Sequence, residues 1–142
     1  MAESTSPNGM LKLSIITPEK TVFSGTAKSL QYPGEDGLYG ILPGHAAMIT
    51  TVAPGPLYIS GTSDGEMAFA LMGGFAEVKD NEVRFVVDAA ELKGDIDSER
   101  AKAAAERARE RLKKQQSDKI DTLRADRALK RALVRLQMAS KR

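Results

Sequence analysis

Apolar and polar residues alternate as soon as the chain reaches Leu11. Leu11, Leu13 and Ile15 are separated by Lys12 and Ser14, a period of two that predicts a half-buried strand, closed by Pro18. A second extended stretch runs from Thr21 to Tyr32 and stops at Pro33-Gly34. Glycine-rich turns follow at Gly34-Glu35-Asp36-Gly37 and around Gly40 to Gly44. Short strands are then predicted at Ala47–Val52, after Pro54-Gly55-Pro56 at Leu57–Ser60, and beyond the Gly61–Gly65 loop at Met67–Met72. Gly73-Gly74 allows a tight bend or a close backbone approach before Phe75–Val78. Asp80-Asn81 turns the chain into Val83, Phe85 and Val87, which alternate with Arg84 and Val86. Eight or more short strands with close-spaced turns predict a β-sandwich or flattened barrel, with no helical period before residue 90.

The period changes after Lys93-Gly94. Asp95 or Asp97 is placed to cap a helix, with Glu99 near its positive end. Ala101, Ala104, Ala105, Ala108 and Leu112 form one stripe at helical spacing. Gln115 to Lys119 is the expected connection to a second helix carrying Leu123, Ala125, Ala128, Leu129, Ala132, Leu136 and Ala139. The short link predicts an antiparallel α-helical hairpin. Its alanine seam permits close approach but buries little apolar area, so the hairpin is marginal alone and gains from a second surface. The organisation is thus a flexible extension at 1–10, a strand domain at 11–92 and a two-helix domain at 93–142.

Charge divides the chain at the same place. Residues 97–142 hold 15 Lys/Arg against 7 Asp/Glu, a net of +8, whereas residues 1–96 hold 6 against 12, a net of −6. The overall +2 conceals an anionic strand domain and a cationic helical arm suited to an acidic target. Nucleic acid is not the expected target, because the anionic domain repels a phosphate backbone.

The absence of cysteine excludes disulfides, thiolate metal sites and a cysteine nucleophile, and a single histidine excludes a histidine-rich metal centre. No apolar run reaches the roughly 20 residues that span a bilayer. Met1 to Gly9 is polar, with no basic start and no apolar core, and predicts no signal peptide. His45, in Leu42-Pro43-Gly44-His45-Ala46, has no catalytic partner pattern and is read as structural or partner-facing. Asp36, Asp64, Asp80 and Asp88 lie beside Gly or Asn or at strand ends, where Asx-turns are common. No Walker-type loop ends in Lys-Ser/Thr. The expectation is a protein without catalytic residues or a metal.

One pattern points to a ligand. Ile96-Asp97-Ser98-Glu99-Arg100-Ala101 opens the first helix, and Arg131 and Arg135 stand four apart on one face of the second. If the hairpin folds back, three guanidinium groups and helix-end donors suit a polyphosphate. The same arginines also suit an acidic protein surface, or a plain solvated face.

The sequence resembles the small epsilon subunit of bacterial and chloroplast rotary ATP synthases, called delta in mitochondria. The likeness is carried by Thr17-Pro18-Glu19-Lys20, Val22-Phe23-Ser24-Gly25, Pro33-Gly34-Glu35-Asp36-Gly37 and Gly40-Ile41-Leu42-Pro43-Gly44-His45-Ala46. Pro54-Gly55-Pro56-Leu57, Gly73-Gly74-Phe75-Ala76, Val83 to Leu92, Asp95-Ile96-Asp97 with Arg100-Ala101, and Leu129-Lys130-Arg131-Ala132 with Arg135-Leu136 complete it, over residues 11–139. The resemblance implies a ten-stranded β-sandwich followed by a helical hairpin. It implies a non-catalytic rotor subunit that couples proton flow to ATP synthesis, bound to the gamma subunit and the c-subunit ring, the surface around Leu38 to His45 contributing. Extended helices would meet an acidic segment of the beta subunit in the alpha/beta head and inhibit ATP hydrolysis. No cofactor is required, and the one ligand implied is a regulatory ATP held by Glu91, Ile96, Asp97, Arg100, Ala101, Arg131 and Arg135. A second copy of the motif stands at Ile120-Asp121-x-x-Arg124-Ala125. The implied location is peripheral, held through partners on the cytoplasmic face of a bacterial plasma membrane, with the stromal face of a chloroplast thylakoid as the second choice. A freestanding ATP-binding sensor is the alternative.

Overall fold

A computed structural model describes residues 9–114 and 119–140. Residues 1–8 of the expected extension, 115–118 of the expected connection and 141–142 lie outside the described residues, as do the side chains of 119–121 and 140. The chain divides into two compact units, Met1–Leu92 and Lys93–Arg142.

The first unit carries strands β1 (Leu11–Ile16), β2 (Thr21–Ala27), β3 (Ser29–Gly34), β4 (Gly37–Ile41), β5 (Met48–Thr62), β6 (Gly65–Lys79), β7 (Glu82–Val87) and β8 (Ala90–Leu92). They are hydrogen-bonded in the order β2-β1-β7-β6-β5-β3-β4, with β8 on β6. Every pair is antiparallel except β1 with β7. The two longest strands explain how one hydrogen-bonded path makes two layers. In β5 the buried positions change from Val52 to Gly55, Leu57 and Ile59. In β6 the core positions change from Phe69 and Leu71 to Ala76 and Val78. A strand that stays in one layer buries one parity only, so both strands change layers here. They do so together, because Val52 pairs with Gly74 and Pro54 with Met72.

One layer therefore holds β2, β1, β7 and the ends of β6 and β5 next to them. The other holds β4, β3, β8 and the remaining halves. Aromatic contacts join the layers: Tyr32 of β3 meets Phe85 of β7 with ring centres 5.6 Å apart, and Phe23 of β2 meets Phe69 of β6 at 5.7 Å. The buried Tyr32 hydroxyl is hydrogen-bonded to Thr50 Oγ1 at 2.6 Å, which satisfies its polar end. The core cluster is drawn entirely from residues 11–87.

The sandwich expected from sequence is present, with differences in its strands: the single stretch expected from Thr21 to Tyr32 is two, β2 and β3, parted at Lys28. The elements predicted at Ala47–Val52 and Leu57–Ser60 are one strand, as are those on either side of Gly73-Gly74. Counting each long strand once per layer reconciles eight strands with ten. Pro54 and Pro56 do not break β5 because β3 pairs with it only at Tyr58, Ile59 and Ser60; before that point no ladder bond is forfeited on that side. Gly73 and Gly74 adopt φ of 98° and 146°. At Gly74 a Cβ would overlap the Val86 carbonyl. The close backbone approach is the reason for glycine there. Strand β4 was hidden by Gly37 and Gly40 and is formed by pairing with β3 across a two-residue turn.

In the second unit a 3-10 turn at Lys93–Asp95 leads to α1 (Ser98–Lys114) and α2 (Lys119–Ser140), which pack as a hairpin. Asp97 is the cap: its Oδ1 accepts the Arg100 N–H at 3.1 Å and its carbonyl accepts the Ala101 N–H at 3.0 Å. The seam buries Ala101, Ala105 and Ala108 of α1 and Ala125, Ala132 and Met138 of α2. Leu123, expected on the seam, is instead 55% exposed, and Met138 was not expected there. Residues of α2 also pack on the Lys93–Asp95 turn.

Candidate docking surfaces

The outer face of the β2-β1-β7 layer carries apolar side chains in register. Thr51, Phe75, Val86 and Ile16 form one row across β5, β6, β7 and β1. Ile49, Glu77, Arg84 and Ser14 form the row beside it. Ile49 is 72% exposed, Phe75 57% and Val86 48%. The Arg84–Glu77 ion pair, at 3.8 Å and half exposed, borders them and adds little stability of its own. Adjacent apolar side chains on a sheet face, left uncovered by their own unit's core and edged by charge, have the make-up of a protein-docking patch. Sequence reading placed Val86 outward but did not recognise the patch. The available signal was an apolar residue at an outward position of an alternating strand.

A second apolar tip is formed by Leu38 and Tyr39 of β4 and by Leu42 just after it, 50%, 39% and 64% exposed. Leu42-Pro43-Gly44-His45 is a turn in which the Leu42 carbonyl accepts the His45 N–H at 3.2 Å. His45 is half-buried, and its Nδ1 is 2.7 Å from the Ala46 carbonyl. A carbonyl only accepts, so Nδ1 donates and Nε2 keeps its lone pair in the neutral ring. Among the described residues nothing pairs this imidazole with a nucleophile.

The expected ligand residues are distributed over both units. Glu91 is half-buried in the first unit, on β8 opposite Ala70. Ile96, Asp97, Arg100 and Ala101 come together where α1 begins. Asp97 already has one carboxylate oxygen in the cap, Arg100 is exposed, and Ala101 is buried in the helix seam. Arg131 and Arg135 are half-buried on α2. The contact between α2 and the Lys93–Asp95 turn brings that helix to the segment just before Ile96 and Asp97. No described group of His, Cys, Asp and Glu is arranged to hold a metal ion. A depression of about 290 Å³ lined by Glu77, Lys79, Asp80, Glu82 and Arg84 mixes both charges and favours neither an anion nor a cation. Ion pairs Arg109–Glu106 (3.1 Å) and Lys130–Asp126 (3.2 Å) lie within single helices. No described helix is long and apolar enough to cross a membrane.

The family model described as the beta-sandwich domain of the ATP synthase Delta/Epsilon chain matches residues 10–93, and that of its long alpha-helix domain matches residues 95–140. The chain belongs to the ATP synthase delta/epsilon chain family. It is similar to the ATP synthase epsilon chain of Nitratidesulfovibrio vulgaris, at 41% identity over 90% of this chain and 94% of the relative. The epsilon chain of Syntrophobacter fumaroxidans is 42% identical over 92% and 96%, and that of the cyanobacterium Synechococcus elongatus 40% over 91% and 94%. Among solved structures, a chain in the OSCP/F1/c-ring of Euglena gracilis mitochondrial ATP synthase superposes with a TM-score of 0.79 at 22% identity, covering 99% of this chain and 88% of that one. A chain in the central stalk/c-ring of the Tetrahymena thermophila enzyme gives 0.65 at 17%, covering 92% and 96%. At these identities the two superpositions speak for the fold alone.

Proposed function

We propose that the chain is a non-catalytic epsilon subunit in the central stalk of a proton-translocating F-type ATP synthase. The sandwich holds the gamma subunit on one surface and the c-subunit ring on another, so that it turns with the stalk and helps couple proton flow to ATP synthesis. The observation that carries this reading is the exposed apolar face of Ile49, Phe75 and Val86 in a chain with both family domains. Such a face suits the stalk subunit, and the Leu38–His45 tip suits the ring. The location is the cytoplasmic face of a bacterial plasma membrane, through these partners. The relatives above, from bacteria including a cyanobacterium, support a bacterial setting.

The cationic helices are the regulatory part. Extended along the stalk, they meet an acidic segment of the alpha/beta head and oppose ATP hydrolysis by charge and bulk. Folded as a hairpin, they offer Asp97, Arg100, Arg131 and Arg135 to a regulatory ATP. The packing of α2 on the turn before Asp97 supports this grouping.

The test is to restore epsilon-depleted enzyme with the full chain or with a chain ending at Leu92, whose core is self-contained in sequence. Both should bind and restore proton pumping, and only the full chain should suppress hydrolysis. Arg131→Glu with Arg135→Glu should relieve that suppression without loss of binding. Equal hydrolysis with either chain would refute the regulatory role, and absence of binding by both would refute the rotor assignment. Titrating the isolated chain with ATP separates the sensor reading, for which binding without any effect in the restored enzyme is required.

A further inference from the structure

A side chain of the β6–β7 turn is hydrogen-bonded to the turn that carries the apolar tip. Asp80 and Asn81 form the two-residue turn between β6 and β7, with φ of 52° and 62° and with Lys79 paired to Glu82. Positive φ at both central residues is the signature of a type I′ hairpin turn, whose second position favours glycine. Asparagine tolerates that conformation and brings an acceptor that glycine lacks. Asn81 uses it on another turn: its Oδ1 accepts the Gly44 N–H at 2.6 Å. Its backbone carbonyl is fixed in turn by the Lys12 N–H of β1 at 2.8 Å.

The geometry of the receiving turn gives that bond its meaning. Pro43 at the second position, Gly44 at the third with φ of 87°, and the Leu42–His45 hydrogen bond describe a type II turn. Types I and II differ by a flip of the central peptide, here the one joining Pro43 to Gly44. In type II its N–H points out of the turn and normally goes to water. Here Asn81 receives it. After a flip, the Pro43 carbonyl would face the Asn81 oxygen, acceptor against acceptor. Pro43-Gly44 itself suits type II, and glycine at 44 still permits both forms; the Asn81 bond adds to the preference and holds the peptide in it.

We infer that Asn81 is a positioning residue that locks the Pro43–Gly44 peptide and so fixes the directions in which Leu42 and His45 are presented to a partner. It acts through the turn and touches the partner only by way of it. The inference rests on the reading of the Leu38–His45 tip as a contact with the rotor.

Asn81→Gly is the decisive variant, because glycine keeps the hairpin turn and deletes only the acceptor. Asn81→Asp keeps an acceptor and is the rescue. In the full chain, the Gly44 amide should exchange about fivefold faster with solvent in N81G and as in wild type in N81D, the consequence of one lost hydrogen bond of ordinary strength. Affinity for epsilon-depleted ATP synthase containing stalk and c-ring should fall by about three- to tenfold in N81G and recover in N81D. Unchanged Gly44 exchange would overturn the lock. Faster exchange with undiminished affinity would overturn the positioning role. Leu42→Ala, which leaves the Asn81 bond in place, separates the two readings. If L42A weakens binding and N81G does not, only the role of Asn81 fails. If neither weakens it, the tip is not a contact and the underlying reading fails as well.

Discussion

Phe75 and Val86 stand opposite each other on β6 and β7, and both point away from the core. The same two strands put Ala76 and Phe85, the next pair along, wholly inside. One register thus builds the core on one face and an exposed apolar pair on the other. Removing Phe75 beyond Cβ should leave the fold almost untouched, because the ring is 57% exposed and surface changes fall within about 0.5 kcal/mol. In the assembly an aromatic anchor of this kind is worth about 2 kcal/mol on truncation. Phe75→Ala should therefore bind the gamma subunit about thirtyfold more weakly by calorimetric titration, with an unchanged denaturation midpoint. Equal affinity would remove this face from the interface.

Gly73 and Gly74 should differ in their tolerance of a methyl group. At Gly73 an added Cβ meets only the Val52 carbonyl at an ordinary 3.6 Å, so the cost is the positive φ, about 1–2 kcal/mol. At Gly74 the same φ penalty is joined by overlap with the backbone at Val86 and Val87, which cannot swing aside as a side chain does. Gly74→Ala should cost about 3 kcal/mol or more. Gly94, with open space and no positive φ, is the control and should accept Ala within about 0.5 kcal/mol. Urea denaturation of the three variants checks the order, and a Gly74→Ala chain as stable as wild type would contradict the close approach at this crossing.

Periodicity made the simpler strands legible. Leu11, Leu13 and Ile15, and later Val83, Phe85 and Val87, are all buried as their alternation required. The same logic failed at Pro54-Gly55-Pro56 and Gly73-Gly74, where residues that usually end a strand instead switch its buried face while pairing continues. A local rule cannot see this, since a proline is tolerated according to whether a neighbouring strand needs its N–H. On the helices, the Ala101–Ala105–Ala108 stripe was legible, whereas Leu123 was misplaced because hydrophobicity alone put it on the seam. Of the site, residue type and position narrowed the helix cap to Asp95 or Asp97, and the bond to the Arg100 amide selects Asp97. The tie between Asn81 and Gly44 was not legible, because 37 residues separate its partners.

The helix seam is built for small side chains, and its tolerance is testable at its centre. Ala105 is 0% and Ala132 1% exposed. Ala105→Leu adds three carbons where the helices pack and should cost about 1–3 kcal/mol through displaced neighbours. The loss should be confined to the second unit: amides of α1 and α2 should exchange faster, while the buried amides of β1, β6 and β7 keep their protection. Uniform loss across both units would mean that the two unfold as one.

Asp97 should matter first as a cap. Its carboxylate accepts the Arg100 amide, so Asp97→Ala exposes an unpartnered donor and should cost about 1 kcal/mol, whereas Asp97→Asn caps nearly as well and should cost only a few tenths. The loss should be local, seen as faster exchange at the Arg100 and Ala101 amides. The turn that frays also carries the Arg100 side chain. An ATP held there would be bound about fivefold more weakly by D97A, because part of the binding free energy is spent on reforming the turn. Isothermal titration of the full chain reads this directly. An unchanged ATP affinity in D97A, with the fraying of Arg100 and Ala101 demonstrated, would exclude the first turn of α1 from the nucleotide site and leave the arginines of α2 to an acidic protein surface.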